Sequence, residues 1–181
     1  MPASPRRAWT AASTAADGFW LGAPAAVLAA VHARLGEAGT PELDPAAAEA
    51  ARIAAVEPRF GAEITSDYFP MEVGLNGAID YAKGCYLGQE PIVRIRDRGH
   101  INWRLVRLDF NVDVATDPAP GDPLESEAKP KAGRVTSAGR LPDGRGVALA
   151  MLHTSVVVGA TVHIRHGDAR IDARVHAEAS Q

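Results

Sequence analysis

Four short runs decide the fold: Ala132-Gly133-Arg134-Val135-Thr136-Ser137-Ala138, then Gly146-Val147-Ala148-Leu149-Ala150-Met151-Leu152-His153, then residues 160–166 and 170–176. Between them stand Pro142-Asp143-Gly144-Arg145-Gly146 and His166-Gly167-Asp168, both tight-turn sequences. Regular short strands joined by tight turns predict a small antiparallel barrel. The stretch 102–112 adds a strand: Arg104, Val106, Leu108 and Phe110 share one face, and Trp103, Leu105, Arg107 and Asp109 the other. The intervening 113–131 holds four prolines and several acids, and reads as a long connection.

Upstream the pattern is helical. Pro24 opens a helix with Val27, Leu28, Val31 and Leu35 along one stripe and Gly36 as its stop. Asp44 is an N-cap candidate and Pro45 fits the first helical position. The alanine-rich run 45–56 favours helix but buries little area, so it needs a partner surface. Residues 57–82 are irregular, with Met71, Val73, Leu75 and Ile79 as core contacts. Phe60, Tyr68, Phe69 and Tyr81 read first as core aromatics, with the wall of a flat-ligand site as the alternative. The expectation is an α+β chain: a loose tail over 1–18, an α/β region over 19–101 and a β-barrel over 102–177.

Composition removes several classes. The net charge of −3 gives no global pull toward nucleic acid. The basic run Arg94, Arg96, Arg98, His100, Arg104 and Arg107 is a solvated face or an anion site. One cysteine forbids an internal disulfide and a Cys₄ cluster or zinc site within one chain. The histidines are dispersed, so no metal of its own is expected. No apolar run reaches membrane-spanning length, and no apolar core follows Arg6-Arg7 as a secretion signal requires. A cytoplasmic protein is expected, which suits a single thiol.

That thiol lies in Lys83-Gly84-Cys85-Tyr86-Leu87-Gly88-Gln89-Glu90. Gly84 and Gly88 permit a tight turn around Cys85. Lys83, if its ammonium lies near the sulfur, favours the thiolate. Gln89-Glu90-Pro91 reads as a first helical turn, so Cys85 sits just ahead of a helix N-terminus. Ile92, Val93 and Ile95 give that helix an apolar side. The residues leave two readings open: a reactive thiol, or a passive cysteine in a glycine-bounded turn.

The octapeptide resembles the K-G-C-[FY]-x-G-Q-E signature of the YgfZ-type folate-binding proteins, relatives of the glycine-cleavage T-protein (aminomethyltransferase) that assist iron–sulfur enzymes. Other segments resemble the same family. Upstream are Pro58-Arg59-Phe60-Gly61 and Pro70-Met71-Glu72-Val73-Gly74-Leu75. Arg98-Gly99-His100 and Arg104-Leu105 follow the signature, and Gly133-Arg134-Val135-Thr136-Ser137-Ala138 lies downstream. The resemblance covers about 51–175. In two places the chain departs from the pattern. The first large part of the family's folate-binding domain, which carries a catalytic aspartate in the T-protein, has no counterpart here. Arg52-Ile53-Ala54-Ala55-Val56 stands where the family reads R-[IL]-E-A-G, so Ala54 replaces a pterin-contacting glutamate and Val56 a glycine.

The resemblance implies a partial T-protein-like folate-binding domain followed by a small C-terminal barrel. It implies an accessory role in assembly, repair or maintenance of iron–sulfur enzymes, including those of tRNA modification. Cys85 is then the working group, with Lys83, Gln89 and Glu90 around it, and Gly84, Tyr86 and Gly88 shaping the turn. Arg94, Arg98 and Arg104 are candidate folate or anion contacts, and tetrahydrofolate is the implied cofactor. Partners are iron–sulfur enzymes or cluster-assembly proteins, with neither membrane nor direct nucleic-acid contact expected. A folate-dependent aminomethyltransferase, or a non-catalytic remnant, is the alternative.

Overall fold

Alternating side chains between Trp103 and Phe110 let one strand face two cores at once, and the barrel is built around that property. In the computed structural model, which describes residues 21–111, 117–127 and 129–179, this is β1 (Trp103–Phe110). It is followed by β2 (Pro123–Glu125), β3 (Gly133–Arg140), β4 (Gly146–His153), β5 (Thr161–His166) and β6 (Ala169–Glu178). All pairings are antiparallel, and the strands close into a barrel in the order β1-β4-β3-β2-β5-β6, with β6 returning to β1. Val106, Leu108 and Phe110 point inward to join Leu124, Val135, Ala148, Ala150, Leu152, Val162, Ile164 and Val175. Leu105 points outward, to a second cluster with Val147, Leu149 and Met151. Because β4 is covered on both faces, its residues 146–152 are all buried. Each large aliphatic side chain placed there contributes about 1.5–3 kcal/mol.

The expected strands are present, with β3 and β6 extending beyond their anticipated ends. The connection before residue 132 hides one more strand. β2 has three residues and starts with a proline, so it offers no periodicity to read, yet Leu124 is fully buried in the barrel.

Three helices precede the barrel: α1 (Ala25–Glu37), α2 (Pro45–Ala54) and α3 (Gln89–Arg98), with a single 3₁₀ turn at Asn76–Ala78. Asp44 caps α2 as expected, its carboxylate accepting from the amides of Ala46 at 2.9 Å and Ala47 at 3.2 Å. α2 supplies the outer cover of the barrel through Ala50 and Ile53, both fully buried. Gly139 of β3 permits the approach: a Cβ there would lie 3.5 Å from Ile53 and 3.6 Å from Ala50.

α1 is different. None of its residues is buried, and Leu28 and Leu35 stand exposed on its apolar stripe. It runs past Gly36 and ends after Glu37, where Gly39 takes the left-handed angle (φ +74°) that stops it. The expected core role of the aromatics holds only for Tyr68, which packs on the outer cluster. Phe60 is 85% exposed, and Phe69 and Tyr81 are also exposed and stand outside both apolar clusters. The tail over 1–18 and Phe19-Trp20 lie outside the described residues.

Among the described residues Val56 is the one non-glycine with positive φ, at +58°. This is the position where the resembled pattern carries glycine. The left-handed region costs an L-residue about 1–2 kcal/mol. Val56 tolerates it because its side chain is buried beside the Ile53 cluster, and burial of a valine returns about 1.5–3 kcal/mol. Val56→Ala gives up burial and keeps the strain; Val56→Gly gives up both. The glycine variant is therefore expected to be the more stable of the two by about 1 kcal/mol in urea denaturation. Within a helix the order is the reverse, so an alanine variant that outlasts the glycine one defeats the expectation.

Candidate functional site

The segment before α3 is shaped by its own polar groups. Asp80 folds back on the chain, its carboxylate accepting from the amides of Ala82 at 2.8 Å and Lys83 at 3.1 Å. The chain then extends through Gly84 and Cys85 and turns at Leu87-Gly88 into α3. Gly88 makes the turn: its φ of +86° is left-handed, and no side chain caps the helix that follows. Gln89 donates its amide to the Tyr86 carbonyl at 3.3 Å. Gly84, by contrast, has no left-handed angle, and a Cβ on it would meet nothing within 4 Å. The expectation that both glycines form the turn is corrected to Gly88 alone.

Cys85 is a free, exposed thiol, and it lies ahead of α3 where the sequence places it, on an extended stretch before the turn and not within it. Lys83 directs its ammonium over the Tyr86 ring, 4.7 Å from the centroid. The Tyr86 hydroxyl is buried and has no hydrogen-bond partner among the described residues. Arg96 lies over Tyr81 at 4.8 Å and fixes α3 against the incoming loop. Glu90 sits in the first turn and faces Arg94 at 3.7 Å. A cleft of about 440 Å³ lies along Gln89, Glu90, Val93, Arg94 and Asp97. A second, of about 380 Å³, runs between α3 and Phe69, Glu72 and His100. Gln89, Glu90 and Arg94 thus share one helical face beside the thiol segment. Arg104 is engaged elsewhere, with Glu178 at 2.7 Å and the Val156 carbonyl, both on the barrel side. The Arg98 side chain lies outside the described residues.

The family-like segments on either side prove to be anchors. Glu72, nearly buried, accepts from the amides of Phe69 at 3.0 Å and Trp103 at 3.2 Å, while its carbonyl accepts from Leu105 at 2.8 Å. This ties the 70–75 turn to β1. Glu63 is fully buried and binds Arg52 at 3.1 Å, the Arg59 amide at 3.0 Å and the Ser137 hydroxyl at 2.6 Å. Arg52 also donates to Ser137 at 2.7 Å and pairs with Glu49 at 2.7 Å. Sequence reasoning passed over Glu63 and Ser137. The signal for them was their place within or beside the 58–61 and 133–138 segments.

The Arg52 hydrogen bond, together with the Arg52 and Arg59 charges, holds the Glu49 carboxyl below the usual carboxylate range although partial burial opposes it. A depressed folded-state value means stability that is complete above the unfolded value and lost as pH falls below about 4.3. Unfolding free energy is therefore expected to fall more steeply in acid for the native chain than for Glu49→Gln. Equal slopes from pH 6 to pH 3 would remove Glu49 from the account.

Among the described residues no three His, Cys, Asp or Glu side chains converge as metal ligands, and no helix is long and apolar enough to cross a membrane. No protein-family model matches the chain. Its fold matches the glycine cleavage system aminomethyltransferase T of Bartonella henselae with a TM-score of 0.75 and 24% identity, over 91% of this chain and 46% of that one. The tRNA-modifying protein YgfZ of Aliivibrio fischeri is 36% identical over 100 residues, 52% of this chain and 31% of that protein. The chain is thus similar in sequence to YgfZ and in fold to the aminomethyltransferase T. A mitochondrial iron-sulfur cluster assembly factor IBA57 homolog of Pyricularia oryzae is 31% identical over 101 residues, 49% of this chain and 26% of that protein. The chain spans less than half the length of each of these relatives.

The cofactor implied by the resemblance is tetrahydrofolate. Position 54, where the YgfZ-type pattern places a pterin-facing carboxylate, offers a methyl group, and its carbonyl already accepts from Arg107 at 2.7 Å. The residues present do not supply that contact.

Proposed function

We propose that this chain assists iron–sulfur enzymes, in assembly, repair or maintenance of their clusters, and that Cys85 is the group through which it acts. The observation that carries this reading is an exposed thiol set on an extended segment ahead of α3. A lone thiol has no partner in its own chain, so any disulfide it forms is with a cysteine of another molecule. Exchange forms one S–S bond, breaks another and releases a thiolate. Gln89, Glu90 and Arg94 form the polar rim against which a partner surface would rest. The relatives named for cluster assembly and tRNA modification support the process, and a reducing compartment, the cytoplasm, suits the free thiol. In this reading residues 19–101 are the thiol-bearing unit and 102–177 the barrel unit.

Aminomethyl transfer to tetrahydrofolate is the weaker alternative, because that chemistry needs a carboxylate to orient the reacting nitrogen and position 54 has none. The test is expression in a bacterial strain that lacks its own YgfZ-type protein, followed by assay of an iron–sulfur enzyme that modifies tRNA. Recovery of that enzyme supports the proposal. A folded, abundant chain that restores nothing sinks it.

A further inference from the structure

On the barrel, away from α3, a cleft of about 400 Å³ opens between the 67–68 turn and the start of β3, lined by Asp67, Tyr68, Trp103, Lys131, Arg134 and Met151. It shares no residue with the two clefts beside the thiol segment. Two aromatic rings form its walls. Trp103 is half-buried and held edge-on by His153, the ring centroids 5.5 Å apart and the planes at 89°. Tyr68 is half-buried and carries the Arg134 guanidinium over its face at 5.4 Å. The floor is Met151, fully buried.

Cations dominate the rim. Arg134 pairs with Asp67 at 3.1 Å, but both partners are largely exposed, so the pair is weak and readily exchanged. Lys131 is exposed and makes no ion pair among the described residues. Among the charges that line the cleft, Lys131 and Arg134 outweigh Asp67, and both become available to one anion when Asp67 is displaced.

We propose that this cleft binds a nucleotide, with the base against Trp103 and the phosphate between Lys131 and Arg134. Aromatic faces accept any base, and Lys and Arg recognise phosphate as a point charge and as a fork. A flat ring bearing only a carboxylate matches the walls but offers Lys131 and Arg134 a single negative charge, where a phosphate monoester offers two.

Calorimetric titration of the full chain with adenosine monophosphate tests this, beside adenosine, inorganic phosphate and p-aminobenzoate. Saturable binding is expected, weakened at least about tenfold in each of Lys131→Ala and Arg134→Ala. Both positions are exposed, so these variants should remain folded, and a thermal melt verifies it. Adenosine and phosphate alone should each bind at least about tenfold more weakly than the whole nucleotide. A short single-stranded RNA that binds more tightly than the mononucleotide identifies a polynucleotide source, and the reverse order a free nucleotide; either supports the site. No binding at millimolar concentration, binding unchanged in both variants, or p-aminobenzoate binding as tightly as the nucleotide overturns it.

Discussion

Replacement of Cys85 by serine is expected to reduce rescue of the iron–sulfur enzyme to the empty-vector background while leaving the chain as stable as before. The two halves of the prediction have separate causes. Cys85 is exposed and lies outside both apolar clusters, so exchanging sulfur for oxygen removes no packing. Substitutions at such positions fall within about 0.5 kcal/mol. Serine keeps the size and a hydrogen-bonding group but cannot form a thiolate or a disulfide at neutral pH. Any thiol-dependent step is lost outright. Lys83→Ala separates the local contributions. Its ammonium is directed to the Tyr86 ring, so its loss should loosen the turn and lower rescue in part rather than abolish it. A serine variant that rescues as well as the native chain would show that the signature segment works by shape or surface. A serine variant that melts early would show that the cysteine is structural.

The second large effect is on stability. Glu63→Ala is expected to cost about 3–5 kcal/mol, the usual result of breaking a buried ion pair from one side. The carboxylate is wholly buried and satisfies three donors: Arg52, the Arg59 amide and the Ser137 hydroxyl. Alanine leaves all three facing a void, and Arg52 retains only Glu49, Ser137 and the Glu57 carbonyl. Set against a total stability of about 5–15 kcal/mol, this removes a large share. For a chain of this size it lowers Tm by roughly 6–20 °C. Glu63→Gln keeps the shape and one acceptor, and should fall between. The double variant Arg52→Met with Glu63→Leu should cost clearly less than the two single changes added together, since neither charge is then stranded. Urea denaturation of the native chain, Arg52→Met, Glu63→Leu and the double variant measures this. Additive losses would mean that the pair is not coupled.

These two residues also mark what the sequence made legible. Cys85 was visible because it is the lone cysteine in a glycine-bounded polar segment. The barrel was visible because strands covered on one face must alternate, as 102–112 does, and strands covered on both must read as apolar runs, as 146–153 does. Asp44-Pro45 announced the start of α2 through local chemistry alone. Glu63 was invisible because a carboxylate in an irregular segment has no period, and its three partners come from α2, its own loop and β3. Lys83 shows the limit of adjacency. Two positions from the sulfur, its long side chain found a ring face instead. Phe60, Phe69 and Tyr81 looked like core because they are aromatic, but burial depends on what covers a loop, and no local pattern records that.

The short strand β2 has a consequence for how the barrel moves. It meets β3 through two residue pairs and β5 through two, whereas β4 meets β1 through eight. Detaching Pro123–Glu125 converts the cylinder into a curled five-strand sheet with two bare edges, at the cost of those four pairs, the Arg165–Glu125 contact and the burial of Leu124. Backbone amides of β3 and β5 that face this seam should exchange with solvent through that partial opening. Those of β4 should exchange only when the whole molecule unfolds. The barrel is thus expected to open first along one line, and the cleft between Trp103 and Arg134, whose cationic side begins β3, borders it.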